Sequence, residues 1–332
     1  MDVLRDANFF MYFFMISRKL IFRGICPVQR QTSHAHFRSL PGKERWEIER
    51  SRYAAAWESL GDSVATRLMT SGLELHFRHK PRMYRLPPRW AIPSKAKSLK
   101  LIKFLPDFMS HQTVREIFPP FPKLYYSIVF TVPKKDGSLC PIIDLSSLNK
   151  LLKVPKFRME TLESISRAIL GPMWGCTADV TNAFHSVPLD WSHHKYFAFC
   201  IRDKGRVRVF VFQFLPFGLS TAPWAFTRII RPIKRYIRIH ICPFHSYLDD
   251  FFILDFSAEA LNANVPKIKA LITSLGLTWN EAKSDFRPRL LVHFLGILVN
   301  LQDMTLSLPE DKIAKCKEAC LNFRRSPTVM RA

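Results

Sequence analysis

Apolar and β-branched residues alternate with polar ones in short runs over the second half of the chain, a pattern typical of β-strands. Runs at 125–133 and 139–145 flank Asp136-Gly137, a dipeptide that favours a tight hairpin turn. Further strands are predicted at 175–179, 195–201, 206–214 and 290–300, and a pair of strands about an Asp-Asp turn is predicted at 245–254. Helices are predicted at 160–170, 220–240 and 258–275, with Pro232 as a kink. Because no regular strand–helix–strand period is present, we predict an α+β fold.

Upstream of these strands the pattern becomes helical. Trp46, Tyr53, Trp57 and Leu60 recur at helical spacings, which predicts one helix over 43–70 that stops near Gly72. The stretch 78–93 then contains four prolines and five Lys or Arg residues and predicts an extended connection. The sequence leaves open whether its charges lie along phosphates or face only solvent.

Charge and cysteine content narrow the class of protein. The 332 residues include 50 Lys or Arg and 27 Asp or Glu, a formal charge of +23. This favours a polyanionic partner, most simply nucleic acid, although a basic protein without one has the same composition. No apolar run approaches the ~20 residues of a membrane span, so no membrane partner is expected. Seven cysteines without a CxxC pair indicate reduced thiols and an intracellular location, with nucleus and cytoplasm both open.

Three aspartates stand out because their neighbours are apolar. Asp179 ends a strand-like run, and Asp249-Asp250 lies between Tyr-Leu and Phe-Phe-Ile-Leu. A plain hairpin turn explains the second pair, but a charge among apolar residues is costly unless it is compensated. Divalent cations relieve the repulsion between carboxylates, and Mg²⁺ prefers such oxygen ligands. Two ions ~3.5–4 Å apart activate an attacking hydroxyl and stabilise a leaving group.

Six motifs in order then resemble those of reverse transcriptases, between about residues 115 and 300. Tyr247-Leu248-Asp249-Asp250 resembles the YxDD signature, and the run from Asp179 to Phe184 is similar to the first palm motif. The other four are Val132-Pro133-Lys134-Lys135-Asp136-Gly137 with Leu148-Asn149-Lys150, Leu215-Pro216-Phe217-Gly218, Trp279-Asn280-Glu281-Ala282-Lys283-Ser284, and His293-Phe294-Leu295-Gly296-Ile297. The run 155–162 further resembles DIRS-type, tyrosine-recombinase retrotransposons.

The resemblance implies a right-hand polymerase fold of fingers and palm with a partial thumb and a helical N-terminal extension. It divides the chain into an extension of unknown order (1–40), a helical and basic Pro-rich region (41–110), fingers and palm (111–300), and the start of a truncated thumb (301–332). It implies template-directed DNA synthesis on an RNA or DNA template with a primer, with dNTP as substrate. No RNase H domain is expected in this chain, and the oligomeric state stays open.

The same resemblance assigns site residues. Asp179 and Asp249 would ligate two Mg²⁺ ions, for which Mn²⁺ substitutes, with Asp250 in support. The nucleotide-binding residues implied are Lys134, Phe184, Phe217, Gly218 and Lys283, and those of the primer grip are Phe294, Leu295 and Gly296. Ordinary explanations stay open for each of these: core packing for the phenylalanines, a turn for Gly218, solvent for Lys134, a loop cap for Lys283, and strand packing for 294–296.

One position departs from the family pattern. Cys140 stands where an arginine usually clamps the triphosphate, and cysteine has neither its charge nor its fork geometry. A catalytically impaired nucleic-acid-binding remnant of a retrotransposon polymerase is therefore the alternative. A structural protein with no nucleic-acid role is a third interpretation.

Overall fold

A computed structural model describes residues 42–133 and 139–325 of the chain. The predicted extension at 1–40, the Asp136-Gly137 turn and Lys134 lie outside the described residues. The helices are α1 (Gly42–Ser51), α2 (Ala54–Ser59), α3 (Ser63–Thr70), α4 (Lys95–Ile102), α5 (Leu105–Ser110), α6 (Ser146–Asn149), α7 (Leu162–Ser166), α8 (Ala222–His240), α9 (Ala258–Ser274) and α10 (Glu310–Arg325). Short 3₁₀-helical turns lie at Arg89–Ala91, Ala183–Ser186 and Trp191–Tyr196.

The strands form antiparallel sheets. They are β1 (Val114–Ile117), β2 (Val129–Pro133), β3 (Leu139–Ile143), β4 (Trp174–Asp179), β5 (Ala198–Asp203), β6 (Arg206–Phe212), β7 (Phe244–Tyr247), β8 (Asp250–Asp255), β9 (Asp285–Arg289), β10 (Leu291–Phe294), β11 (Ile297–Asn300) and β12 (Thr305–Ser307). The sheet orders are β1-β6-β5, β2-β3, β7-β8-β4-β9 and β10-β11-β12. The mixture of helices and antiparallel sheets agrees with the predicted α+β class.

The chain divides into two compact units. Of the described residues, unit 1 contains 42–58, 63–133, 139–156 and 184–226, and unit 2 contains 59–62, 157–183 and 227–325. In unit 1, β1, β6 and β5 form a sheet whose apolar face packs with Leu124 and Tyr126. In unit 2, the four-stranded sheet β7-β8-β4-β9 shares a core with β10 and β11, in which Phe252 and Phe294 stack at 4.9 Å. Burial of the apolar side chains in these two clusters stabilises each unit.

Local sequence accounts for several element boundaries. α9 begins where the side chain of Ser257 accepts a hydrogen bond of 3.1 Å from the N–H of Ala260, an N-cap that satisfies a terminal donor. α8 includes Pro232 without ending there. Among the described residues, no helix is both long and apolar enough to cross a membrane.

Some predicted elements differ from those in the structure. The single helix predicted over 43–70 is three helices, and Gly61, with a φ of +67°, accounts for the break between α2 and α3. The helix predicted at 160–170 spans only Leu162–Ser166, and the strand predicted at 290–300 is a hairpin of β10 and β11. The sequence pattern does not predict α4, α5 or β1. The other predicted strands and helices are present, with ends shifted by a few residues.

Candidate active site

The three aspartates meet at one end of the sheet in unit 2. Asp179 is the last residue of β4 and Asp250 the first of β8, and the antiparallel register places them directly opposite each other. Tyr247 pairs with Asp250, so Leu248 and Asp249 form a two-residue turn between β7 and β8. The carbonyl of Asp249 accepts a hydrogen bond of 3.3 Å from the N–H of Val180. The predicted Asp-Asp turn is thus a Leu-Asp turn, and it brings Asp249 beside the end of β4.

The turn has an unusual backbone. Leu248 has a φ of +52°, in the left-handed region that residues with a Cβ rarely adopt. Such a conformation costs on the order of 1 kcal/mol and persists only where the surroundings hold it. Here strand pairing on both sides fixes the turn, so the carboxyl group of Asp249 is held at the sheet edge rather than free in a loop.

Burial and electrostatic repulsion both act on the carboxyl group of Asp249. Burial, followed by the charges of Asp250 and Asp179, raises the pKa of its carboxyl group to about 6. Burial also raises the pKa of Asp179, a residue that is only 7% exposed. Lys283 and Asn280 oppose that rise by stabilising the ionised form of Asp179. Lys283 and Asn280 therefore stabilise the ionised form of Asp179, whereas the ionised form of Asp249 is the more strongly disfavoured.

Lys283 reaches Asp179 because its loop is bonded to β4. Lys283 Nζ lies 3.6 Å from Asp179 Oδ2, and Asn280 Nδ2 donates to Asp179 Oδ1 at 3.0 Å. The backbone N–H of Asn280 donates to the carbonyl of Asp179, while Ser284 Oγ accepts from the N–H of Asp179 at 3.0 Å. The sequence motif includes Asn280 and Ser284 but assigns them no role. The sequence feature that could have identified Asn280 and Ser284 is that both are short polar residues close to Lys283 in the same motif.

The donor set fits hard divalent cations. It consists of carboxylate oxygens, which Mg²⁺ and Mn²⁺ prefer. Burial and then the charges of Asp250 and Asp179 raise the pKa of Asp249, and a bound cation would relieve the repulsion among these carboxylates. Within 42–133 and 139–325, no group of three or more His, Cys, Asp or Glu side chains is arranged to enclose a metal ion. The fit therefore rests on donor chemistry and charge, and not on a preformed cage.

A carboxylate anchored by cations holds β7 just before this turn. Glu160 Oε2 accepts a hydrogen bond of 3.0 Å from the N–H of Ser246, and Glu160 Oε1 lies 2.6 Å from Arg238 and 3.0 Å from Lys234. Although burial alone raises the pKa of Glu160, contacts from His245, the Ser246 N–H and Lys234 hold it well below the usual range. An ionised Glu160 thus fixes strand β7 to helix α8.

The aromatic candidates of the nucleotide pocket lie in unit 1. Phe184 is buried in the turn Ala183–Ser186, with its ring 5.4 Å from that of Phe217 and 6.0 Å from that of Phe226. Gly218 has a φ of +92°, a conformation that glycine adopts without strain. Its carbonyl accepts a hydrogen bond of 2.8 Å from Asn149 Nδ2, and Asn149 Oδ1 accepts from the Ser220 N–H. Asn149, which also has no role in the sequence prediction, therefore fixes this turn.

The strands on either side of Lys134 pair up to Pro133 and Leu139. Lys134 itself is outside the described residues. Cys140 lies on β3 opposite Val132 and is partly buried. The arginine that the family pattern places here would therefore sit one residue inside a paired strand.

The predicted primer-grip residues form the β10–β11 turn. Phe294 pairs with Ile297, and Leu295 and Gly296 both have positive φ, of +49° and +77°. This is the backbone of a two-residue hairpin turn, which favours glycine at its second position. The side chain of Phe294 is buried, so only the turn residues Leu295 and Gly296 lie partly exposed. Any contact of Phe294 with a primer would therefore be made by its backbone.

Comparison with known proteins then identifies the class. Residues 132–299, just over half of the chain, match the reverse transcriptase (RNA-dependent DNA polymerase) family, and the chain belongs to that family. It is also similar to the Transposon Tf2-3 and Tf2-4 polyproteins of Schizosaccharomyces pombe, each 27% identical over 179 residues. The Transposon Tf2-7 polyprotein of the same organism is 26% identical over 179 residues. The matched segment covers 53% of this chain but only 13% of those polyproteins.

Proposed function

We propose that this chain carries out RNA-templated DNA synthesis, adding dNMP to the 3′ end of a primer. The observation that carries the proposal is the convergence of Asp179, Asp249 and Asp250 at one sheet end, within the segment that matches the family. In the reaction, the primer O3′ forms a bond to the α-phosphorus of the dNTP, and the bond from that phosphorus to the pyrophosphate oxygen breaks. The 3′-hydroxyl passes its proton to a solvent water molecule, and pyrophosphate leaves.

Asp179 and Asp249 would hold two Mg²⁺ or Mn²⁺ ions, with Asp250 in support. When bound, such ions lower the pKa of the attacking hydroxyl and stabilise the charge of the leaving pyrophosphate. Lys283, held 3.6 Å from Asp179, supplies a proton donor for the leaving group. Phe184 and Phe217 would select the sugar of the nucleotide, and the turn at Gly218, fixed by Asn149, supports them. Lys134 would bind the triphosphate as a point charge, and Phe294, Leu295 and Gly296 would support the primer end.

The finer architecture belongs to the same proposal. We assign the sheet β7-β8-β4-β9 to the palm of a right-hand polymerase, with fingers and palm in 111–300 and the start of a thumb in 301–332. The helical and basic region 41–110 would precede them. The two-residue turn that carries Asp249, and the β10–β11 hairpin of the primer grip, support this assignment.

The origin proposed is a retrotransposon. The relatives named as transposon polyproteins support it, and the run 155–162, which includes the anchor Glu160, supports the DIRS-type subgroup. The family match favours a polymerase over the impaired remnant that Cys140 suggested, and the experiment below distinguishes the two.

Primer extension on poly(rA)/oligo(dT) tests the function. The parent chain is expected to incorporate dTMP with Mg²⁺ or Mn²⁺. Asp249→Asn is expected to lower incorporation by a factor on the order of 10²–10³, the usual cost of removing a charge-stabilising group at a reacting centre. Asp311→Asn, an exposed carboxylate of α10, is the matched control and should leave the rate unchanged. Incorporation that Asp249→Asn leaves intact would refute the assignment of the site, and a parent chain that binds primer-template without extending it would indicate the remnant.

A further inference from the structure

A second concentration of charge lies in unit 1, upstream of the residues that match the family. We name residues 82–103 the basic ridge. It contains seven exposed cations and no carboxylate, since the nearest acidic residues in the sequence are Glu74 and Asp107. The cations are Arg82, Arg85, Arg89, Lys95, Lys97, Lys100 and Lys103. Among the described residues, none of these seven forms an ion pair.

The basic ridge is an ordered surface rather than a loose linker. The backbone groups of Tyr84 and Leu124 exchange two hydrogen bonds of 2.8 Å. Cys200 Sγ donates to the carbonyl of Ala91, and the N–H of Arg202 donates to Ser98 Oγ, each at 3.1 Å. Residues 200 and 202 are two apart on β5, a rise of about 7 Å, so the Arg89–Ala91 turn and α4 lie side by side along one strand.

Exposed apolar side chains lie among these cations. Trp90 is 54% exposed, Leu86 71% and Leu99 57%. An exposed tryptophan next to unneutralised Arg and Lys side chains is the combination on which unpaired bases stack while cations track the backbone. A basic surface that only contacts solvent would not require an exposed aromatic side chain such as Trp90.

We propose that the basic ridge binds single-stranded nucleic acid, with its Lys and Arg side chains on the phosphates and a base stacked on Trp90. A duplex is not the partner, because its bases are already stacked on one another and offer Trp90 no free face. The site is separate in sequence from the carboxylate cluster. That the strand bound is the template rests on the proposed function, whereas the binding itself does not.

Binding of a labelled, unstructured 20-nucleotide RNA to the full chain, titrated across a salt series in EDTA, tests the proposal. The same titration with DNA of equal sequence and with a 20-base-pair duplex shows which strand the surface prefers. The ridge variant carries Lys95→Gln, Lys97→Gln, Lys100→Gln and Lys103→Gln. The matched control removes four exposed lysines elsewhere, through Lys153→Gln, Lys156→Gln, Lys204→Gln and Lys317→Gln.

For the ridge variant, the slope of log K against log salt should become shallower by about 3, since each phosphate contact in a single strand contributes ~0.7. Its affinity should fall at least about tenfold more than that of the control, which has the same net charge. Trp90→Ala should weaken single-strand binding about tenfold without changing the slope, because a base loses its stacking partner and no charge is lost. Equal losses in ridge and control variants, or a Trp90→Ala chain that binds like the parent, would overturn the proposal.

A further arm separates this proposal from the function of the carboxylates. Asp249→Asn should bind the single-stranded RNA as the parent does, because the ridge contains none of the aspartates. If the parent extends primers while ridge and control variants bind RNA equally, the ridge proposal fails and the polymerase assignment stands. If Asp249→Asn still extends primers, the polymerase assignment fails whatever the binding data show.

Discussion

Asp249→Asn is expected to stabilise the metal-free protein while it removes catalysis. The pKa of this carboxyl group is raised from its ordinary value of 3.8 to about 6, so its ionised form is disfavoured in the folded state. A tenfold change in the acid dissociation constant corresponds to about 1.4 kcal/mol, so the ionised group costs up to about 3 kcal/mol of folding free energy. Asparagine has a similar shape and no charge. We therefore expect the variant to gain about 1–3 kcal/mol at neutral pH, after discounting partial exposure of the turn.

The sign of the pH dependence follows from linkage. Because the folded pKa of Asp249 is above its unfolded value, the destabilisation is absent below about pH 4, grows between about pH 4 and 6, and is complete above that. The advantage of Asp249→Asn over the parent should therefore be small at pH 4.5 and largest at pH 7.5. At pH 7.5 in EDTA it should raise Tm by roughly 1–4 °C for a chain of this size.

Thermal unfolding at both pH values, with EDTA or with Mg²⁺, is the assay. Mg²⁺ should raise the Tm of the parent more than that of the variant, because a cation that binds only the folded state stabilises it and needs the charge of Asp249. The matched control is again Asp311→Asn. The reasoning fails if Asp249→Asn lowers Tm equally at both pH values, since that is the result expected when the aspartate serves only to shape a turn.

Three further variants test other parts of the structure. Glu160→Gln should lower the free energy of unfolding by about 2–4 kcal/mol in denaturant unfolding at pH 7, since it removes the partner of partly buried cations. Because the pKa of Glu160 is lowered in the folded state, this loss should shrink as pH falls below about 4. The control Glu163→Gln, at an exposed carboxylate, should cost under about 0.5 kcal/mol. Phe184→Val should raise ribonucleotide incorporation relative to deoxyribonucleotide at least about tenfold in primer extension, and an unchanged ratio with lowered Tm would assign Phe184 to the core. Cys140→Arg should lower the apparent KM for dNTP, and an unchanged KM would remove Cys140 from the mechanism.

Local patterns in the sequence predict the strands and the carboxylate cluster but not the exact turns. Alternation in 245–254 is consistent with a turn at either Leu248-Asp249 or Asp249-Asp250, and only the pairing of Tyr247 with Asp250 decides between them. The β10–β11 turn is hard to recognise as a break because Leu-Gly is not a typical turn pair, and the second residue alone, Gly296, tolerates the positive φ. Helix α4 escapes prediction because lysines occupy most of its exposed positions and few apolar residues mark its period.

Long-range partners are beyond the reach of sequence patterns for a different reason. Glu160 is recognisable only as part of a motif, and its partners Arg238 and Ser246 lie 78 and 86 residues away. The sequence near Glu160 does not indicate which cationic side chain is its ion-pair partner. The same holds for Asn149, whose contact at Gly218 is 69 residues distant. The tertiary fold determines which distant residues form such contacts. Sequence patterns therefore indicate which residues are polar but not which partners they contact.

The distribution of charge in unit 2 explains how a costly turn is maintained. The turn of Leu248 and Asp249 combines a left-handed backbone with a cluster of three carboxylates, and both features destabilise the folded chain. Just before the turn, Glu160 bonds to the backbone of Ser246 and to the cations of α8 in a contact whose ionised form is strongly favoured. Stabilisation within β7 therefore offsets destabilisation at the turn that follows it. Because β7 is fixed in this way, the pairing of Tyr247 with Asp250 and of Asp250 with Asp179 keeps the carboxylates together at the sheet edge, where a cation can bind them.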